Sequence, residues 1–176
     1  MIKTLENINP FILGILISVG IGLILGLERE YDKLKDEHGF AGIRTFPITA
    51  IIGFILGNLS ITYTPWLVII TAAAFLLFLA LSHISMVQKH VMTGITTNLA
   101  LFATLILGIM VANHLHKEAV ASAVIIVTLL SLKTTFRSFI KNITSEELFA
   151  FIKFSIIALL ILPFLPNKDY GPEGLL

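Results

Sequence analysis

The chain has 176 residues, of which 56% are hydrophobic and only 13% are charged, and its mean hydropathy is +0.95. A water-soluble domain of this length cannot bury so much apolar surface, so long lipid-facing helices are the better interpretation. The net charge is only +1, so the composition makes no case for nucleic-acid binding, which needs a basic face. The sequence has no cysteine and shows no nucleophile–base set, phosphate-binding glycine loop or paired catalytic carboxylates, so it does not indicate an enzyme.

Six apolar runs follow one another and predict an all-α, polytopic integral membrane bundle of about six transmembrane helices. They cover Phe11–Leu27, Ile43–Leu59, Trp66–Leu81 and, with approximate ends, Gly94–Ala112, Ala119–Leu132 and Leu148–Leu165. Pro10 stands at a favoured helix start, and Tyr63 and Trp66 flank the third run where aromatic rings favour the membrane interface. Thr144 opens a Thr-Ser-Glu-Glu sequence that offers capping groups to the sixth helix. No cleavage site follows the first run, so we interpret it as a retained span.

Lys and Arg are divided unevenly between the two ends of the alternating helices. Nine lie on the side of the first loop and three on the other side. The nine are Arg29, Lys33, Lys35, Arg44, Lys89, Lys133, Arg137, Lys141 and Lys153, and the three are Lys3, Lys117 and Lys168. Because positive charge favours cytoplasmic loops, the first loop is predicted in the cytoplasm and the N-terminus outside. Lys133, Arg137 and Lys141 also recur every fourth residue, which predicts contact with anionic lipid headgroups.

Small residues recur every four positions in the first two helices. They are Gly14, Ser18, Gly22 and Gly26 in the first helix and Thr49, Gly53 and Gly57 in the second. Residues at this spacing share one helix face, and small side chains let helix backbones approach closely in lipid. The stripes therefore predict that helix one packs on helix two. Packing between the subunits of a homo-oligomer is the alternative.

A short internal echo opens helices two and four. Residues 42–45 read Gly-Ile-Arg-Thr and residues 94–97 read Gly-Ile-Thr-Thr, and both begin a span that runs in the same direction. The echo predicts a parallel repeat of two hairpins, helices one-two and three-four, with chance and shared helix-start chemistry as the alternative. The helix-start motif comprises Gly42, Gly94, Thr96, Thr97 and Asn98. Asn98 is expected to form an interhelical hydrogen bond.

Charged side chains crowd the link between helices one and two. Glu28, Arg29 and Glu30 end the first helix, while Arg44 and Thr45 open the second. The start of helix two exposes unpaired N–H groups and a positive dipole, to which Arg44 adds a permanent cation. We therefore expect a charge cluster that closes this mouth, with a Glu28–Arg44 ion pair at its centre. The alternative is that these are ordinary solvated flanking charges that set the topology.

A magnesium site is the competing interpretation of this region. Glu28, Glu30 and Asp32 could supply the hard oxygen ligands that Mg²⁺ prefers. However, Arg29 and Arg44 repel a divalent cation. No predicted span has an acidic residue in its middle, as an ion pathway normally does.

Other polar residues carry no predicted chemistry. The mixed charges from Asp32 to His38 are typical of a solvated loop. His83, His90, His114 and His116 lie at predicted helix ends, and no pair has the spacing of a zinc site on one helix face. We expect these histidines at the membrane interface.

Two motifs resemble the MgtC/SapB family of bacterial membrane proteins. Residues 22–30 read GLILGLERE and residues 41–45 read AGIRT, which is similar to the family's Gly-Leu-Glu-Arg ending and Gly-(Leu/Ile)-Arg-Thr opening. Residues 94–97 are similar to its later Gly-Leu-Thr-Thr. The likeness covers about residues 11–135 and implies a five-helix module over residues 1–140. Residues 141–176 resemble the start of an uncharacterised membrane domain that often follows this module, so we expect either a piece of a longer protein or a short version.

The resemblance implies a multi-pass protein of the bacterial cytoplasmic (inner) membrane that serves magnesium homeostasis or stress adaptation. One mechanism is binding and regulation of another membrane protein, and the alternative is a transporter or channel for Mg²⁺ or a related ion. The missing mid-membrane acids favour the first. The expected partners are membrane lipids, further copies of the chain and another membrane protein. No resident cofactor is expected, and Mg²⁺ is the candidate ion.

Overall fold

The computed structural model describes residues 9–36, 41–88 and 95–164, and every regular element in these ranges is helical. In chain order the helices are α1 Pro10–Asp36, α2 Thr45–Thr62, α3 Trp66–Gln88, α4 Ile95–Ala112, α5 His116–Ser131, α6 Lys133–Asn142 and α7 Ser145–Ile156. A π-helical turn and a 3-10 turn extend the helical backbone from α7 to Phe164. The chain divides into two compact units, Met1–Leu132 and Lys133–Leu176.

Five helical segments in the described part of the chain are long and apolar enough to cross a membrane. They are Pro10–Leu34, Thr45–Thr62, Trp66–Gln88, Ile95–Ala112 and Ser145–Phe164. The prediction of an all-helical membrane bundle is confirmed. The expected fifth span, α5, has only 16 residues. It is therefore about 24 Å long, which is less than a hydrocarbon core of about 30 Å.

Helix α1 is longer than its apolar stretch. It has 27 residues, and the charged sequence that follows Leu27 forms its last turns. Two ion pairs one turn apart support this extension, from Arg29 to Asp32 at 3.5 Å and from Lys33 to Glu30 at 3.6 Å. The prediction of a loop beginning at Asp32 is therefore wrong for the residues up to the end of α1.

Helices α1 and α2 pack antiparallel through the small-residue stripe of α1. The contacts pair Gly14 with Phe54, Gly22 with Pro47 and Gly26 with Ile43. Gly22 lies so close to α2 that a Cβ built on it would be 2.6 Å from the Pro47 backbone nitrogen. The stripe of α1 is thus used within one chain.

The second stripe packs elsewhere, because Gly53 and Gly57 face α4 and not α1. A Cβ on Gly53 would overlap the Leu105 carbonyl oxygen, and a Cβ on Gly108 would overlap the Ala50 carbonyl oxygen. The physical reason is a small-residue stripe in α4 that the sequence analysis missed, in which Ala100, Thr104, Gly108 and Ala112 recur every four positions. Gly53 contacts Leu105, and Gly57, one turn later in α2, contacts Ile109 and Ala112, which come later in α4. The two helices are therefore parallel.

The α2–α4 contact joins positions that are separated by the same number of residues as the two echo sequences. Gly42 and Gly94, which open the two echo sequences, are 52 positions apart, and so are Gly53 and Leu105. Equivalent positions of the two predicted hairpins therefore lie side by side in the bundle. This is the arrangement expected of a parallel repeat.

The remaining helices contribute less to the core. Leu79 is the one buried residue of α3.

In the second unit, α7 begins with a capping box, in which the Glu147 N–H donates to Thr144 Oγ1 at 3.3 Å and the Thr144 N–H donates to Glu147 Oε2 at 2.9 Å. The capping prediction for Thr144 is confirmed.

Gly22→Ala is expected to destabilise the bundle by about 1–3 kcal/mol, because the added Cβ forces α1 away from the α2 backbone. Gly20→Ala is the matched control, since a Cβ there meets no described atom within 4 Å. Alanine at this control position should leave stability unchanged or raise it by up to about 1 kcal/mol. Thermal unfolding of the two variants in detergent measures the difference, and equal effects would contradict the packing described above.

Candidate functional site

Arg29 is the centre of the charged cluster at the C-terminal end of α1. Its side chain is only 3% exposed. Its Nε and Nη2 donate to the two carboxylate oxygens of Glu28, the second at 2.7 Å, and its Nη1 lies 3.5 Å from Asp32 Oδ2. The guanidinium is therefore held by two carboxylates of its own helix. Such planar, bidentate contacts are the strong form of the carboxylate–guanidinium bond.

Glu30 connects the end of α1 to the start of α2. Its Oε2 accepts a hydrogen bond from the Ile43 N–H at 3.2 Å and lies 3.6 Å from Lys33 Nζ. An N–H just before a helix has no intrahelical partner, so Glu30 fills the place that a capping side chain would otherwise take. Gly42 makes this approach possible, because a Cβ there would overlap the Glu30 carboxylate.

Arg44 stands apart from this network. Its side chain is exposed and makes no ion pair or hydrogen bond with any residue that the structure describes. The expected Glu28–Arg44 pair is therefore wrong. The physical reason is that α1 stays helical through the charged sequence, which places Arg29 within reach of Glu28 and leaves Arg44 on the surface.

An open, polar cavity of about 340 Å³ lies beside this junction. Its lining residues come from α1 and from the start of α2, and they are Glu30, Lys33, Gly42, Ile43, Arg44 and Thr45. Thr45 is exposed, and its backbone N–H donates to the Gly42 carbonyl at 3.0 Å. The cavity therefore presents two exposed polar residues at the start of α2, Arg44 and Thr45.

We call Glu28, Arg29, Glu30, Arg44 and Thr45 the mouth cluster.

The carboxylates of this region do not fit a Mg²⁺ site. Glu28 and Asp32 face the guanidinium of Arg29, and Glu30 faces the start of α2 and Lys33. In residues 9–36, 41–88 and 95–164 no group of three or more His, Cys, Asp or Glu residues is placed to hold a metal ion. Glu28 and Asp32 hold the protein's own Arg29, and Glu30 holds Lys33 and the Ile43 N–H.

Two buried threonines in α2 and α4 donate hydrogen bonds to carbonyls of their own helices. Thr49 Oγ1 donates to the Thr45 carbonyl at 2.9 Å, and Thr104 Oγ1 donates to the Ala100 carbonyl at 2.7 Å. Ser18 is fully buried, and its Oγ finds no hydrogen-bond partner in the described part of the chain. The two threonine bonds are local to their helices, and the three residues do not outline a polar path.

The start of α4 differs from the start of α2. Gly94 lies outside the described residues, and Thr96, Thr97 and Asn98 form the first turn of α4. The Asn98 side chain makes no hydrogen bond within the described ranges, so the expected interhelical bond is absent there. Asn98 instead lines a groove of about 270 Å³ between α3 and α4, together with His83.

Arg29→Ala should lower the free energy of unfolding by about 3–5 kcal/mol, because it removes a buried guanidinium and leaves the half-buried carboxylates of Glu28 and Asp32 without their cation. Arg29→Lys should restore only part of the loss, since lysine cannot make the bidentate contact. A double-mutant cycle with Glu28→Gln, read by thermal unfolding in detergent, measures the coupling of the pair. A coupling near zero would show that the pair does not hold this end of α1.

Comparison with known proteins agrees with the motifs at this junction. A family model described as MgtC family matches residues 15–139, which is more than half of the chain. No curated protein and no solved structure gave a significant match. The matched region runs from α1 into α6 and contains every residue of the mouth cluster. The chain therefore belongs to the MgtC family, a multi-pass membrane protein family linked to magnesium homeostasis.

Proposed function

We propose that this protein acts in magnesium-linked adaptation by binding and regulating another membrane protein, and not by conducting Mg²⁺. The observation that carries the proposal is the difference between its two arginines at the α1–α2 junction. Arg29 is 3% exposed and held by Glu28 and Asp32, whereas Arg44 is exposed and has no partner in the described ranges. One cation stabilises the junction and the other is presented to the surroundings.

An exposed arginine at a helix start suits an anionic group of a partner. The α2 N-terminus adds a positive dipole, and the guanidinium offers a planar set of donors that matches a carboxylate or phosphate. Glu30 already occupies the Ile43 N–H, so the available donors are on the Arg44 side chain. A carboxylate of a neighbouring membrane protein would meet both features.

The transporter alternative finds less support in the same geometry. Ion pathways through a membrane usually carry acidic residues at depth. Among the described residues of the spans, the acidic side chains lie towards the ends of α1 and α7. The threonines at depth in α2 and α4 bond to their own helices.

The same proposal places the protein in the bacterial inner membrane, with the α1–α2 loop in the cytoplasm. The nine-to-three division of Lys and Arg supports this orientation. Anionic lipids are proposed partners of the basic residues on α6. A homo-oligomer is also proposed, but not through the α1 stripe, because that stripe packs on α2 within the chain.

Arg44→Ala should leave folding within about 0.5 kcal/mol of the native protein, because the side chain is exposed and unpaired among described residues. In cells that depend on this protein for growth at low magnesium, however, the variant should fail to support growth. Arg44→Lys should restore growth in part and Arg44→Glu should not. Lys117→Ala, an exposed charge at the other end of the bundle, is the matched control.

Full growth with both Arg44→Ala and Arg44→Glu would contradict the proposed role of this residue. The mechanism itself is checked with purified protein in liposomes that contain a magnesium-sensitive dye. We expect no protein-dependent entry of Mg²⁺. Entry that Glu28→Gln abolishes would overturn the proposal in favour of transport.

Single cysteines test the orientation cleanly, because the chain has none of its own. In intact cells, a membrane-impermeant maleimide should label Lys117→Cys and should not label Asp36→Cys. Permeabilised cells, in which both positions should react, provide the control. Labelling of the Asp36 position from outside would reverse the proposed topology.

A further inference from the structure

The turn that joins α4 to α5 places a histidine where a helix often ends on glycine. His114 has a φ of 61°. Its N–H donates to the Val111 carbonyl at 3.1 Å, and the Leu115 N–H donates to the Met110 carbonyl at 3.0 Å. This pair of bonds is the Schellman arrangement, whose left-handed position glycine fills with least strain. A strained residue with a large side chain suggests a role for that side chain.

The turn brings His114 close to His116, the first residue of α5. The two ring centres are 6.0 Å apart and the ring planes meet at 86°. Two imidazoles that share one zinc ion, each at about 2.0–2.1 Å, have ring centres roughly 5–6 Å apart. The observed separation of 6.0 Å lies at the upper end of that range.

Both rings line a cavity of about 290 Å³ at the end of the bundle opposite the mouth cluster. Asn9 and Asn58 line it as well. The Asn58 amide nitrogen donates to the Phe54 carbonyl at 2.9 Å, which leaves the side-chain oxygen as an acceptor. Nδ1 of His116 is buried and has no hydrogen-bond partner among the residues described. A buried polar atom of this kind calls for a water or an ion.

We propose that His114 and His116 together bind one first-row transition-metal cation, such as Zn²⁺, in this cavity. Imidazole suits Zn²⁺, Cu²⁺ and Ni²⁺, whereas Mg²⁺ prefers oxygen ligands. Two protein nitrogens leave positions for water and for the side-chain oxygen of Asn58, whereas Asn9 Oδ1 already accepts a hydrogen bond from the Phe11 N–H at 2.9 Å. The site is thus an open, exchangeable one and differs from a structural centre with four protein ligands. It shares no residue with the mouth cluster and does not rest on the function proposed for that cluster.

The test uses the full chain in detergent, titrated with Zn²⁺ by calorimetry and by the rise of the unfolding temperature. We expect one ion per chain and a higher unfolding temperature in its presence. His114→Gly and His116→Ala should each weaken binding by about tenfold or more. His114→Gly separates binding from folding, because glycine fits the left-handed position and should leave metal-free stability equal or higher.

Controls come from the other histidines and from a second ion. The chain has five histidines, so His83→Ala and the double variant His38→Ala, His90→Ala remove the remaining three. These variants should keep Zn²⁺ binding, and Mg²⁺ at the same concentration should produce no shift. The inference is overturned if native protein binds no Zn²⁺, if His114→Gly and His116→Ala bind it as the native protein does, or if Mg²⁺ competes equally.

Discussion

Close approach of α2 and α4 is the constraint on which the rest of the bundle depends. Lipid is as apolar as the side chains it surrounds, so helices are held together by backbone proximity and by weak Cα–H contacts to carbonyl oxygens. Gly53 and Gly108 place each of these helices against a carbonyl oxygen of the other. At this contact Ala50 and Leu105 are completely buried. Helix α1 then packs on both α2 and α4, and α5 packs on α1 and α4.

The junction of α1 and α2 shows how burial gives different roles to residues of one type. Arg29 lies in a low-dielectric position, where a guanidinium is tolerated only if carboxylates surround it. Glu28 and Asp32 meet that need, and Glu30 satisfies a backbone N–H that precedes α2. These three acids are thereby committed to structure. Arg44 remains in contact with solvent and keeps its donors available, which is why we assign recognition to this residue.

Periodicity and charge made the helical membrane fold predictable, but they could not identify which helices and which side chains contact each other. Apolar runs and glycine spacing indicated the helices and the small-residue face of α1, because both are properties of one segment. The sequence could not show that Gly53 faces α4, because α1 and α4 both carry a small-residue stripe against which it could pack. It also could not show that Arg29 is buried while Arg44 is exposed. That difference depends on α1 remaining helical past its apolar stretch, and ion pairs one turn apart extend it.

The two hairpins of the repeat pack differently. In the first hairpin Gly22 of α1 contacts Pro47 of α2, and Gly26 contacts Ile43, which lies just before α2. In the second hairpin, the positions 52 residues after Gly22 and Gly26 are Ala74 and Phe78 in α3. The positions 52 residues after Ile43, Phe46 and Pro47 are Ile95, Asn98 and Leu99 in α4. The residues of α3 that face α4 across the groove are Leu76, Leu79, Ala80 and His83, none of them glycine, and the groove that they form with Ile95, Asn98 and Leu99 stays open. The first hairpin is therefore closed by its own packing. The second hairpin keeps a mostly apolar groove between α3 and α4, in which His83 and Asn98 are the polar residues.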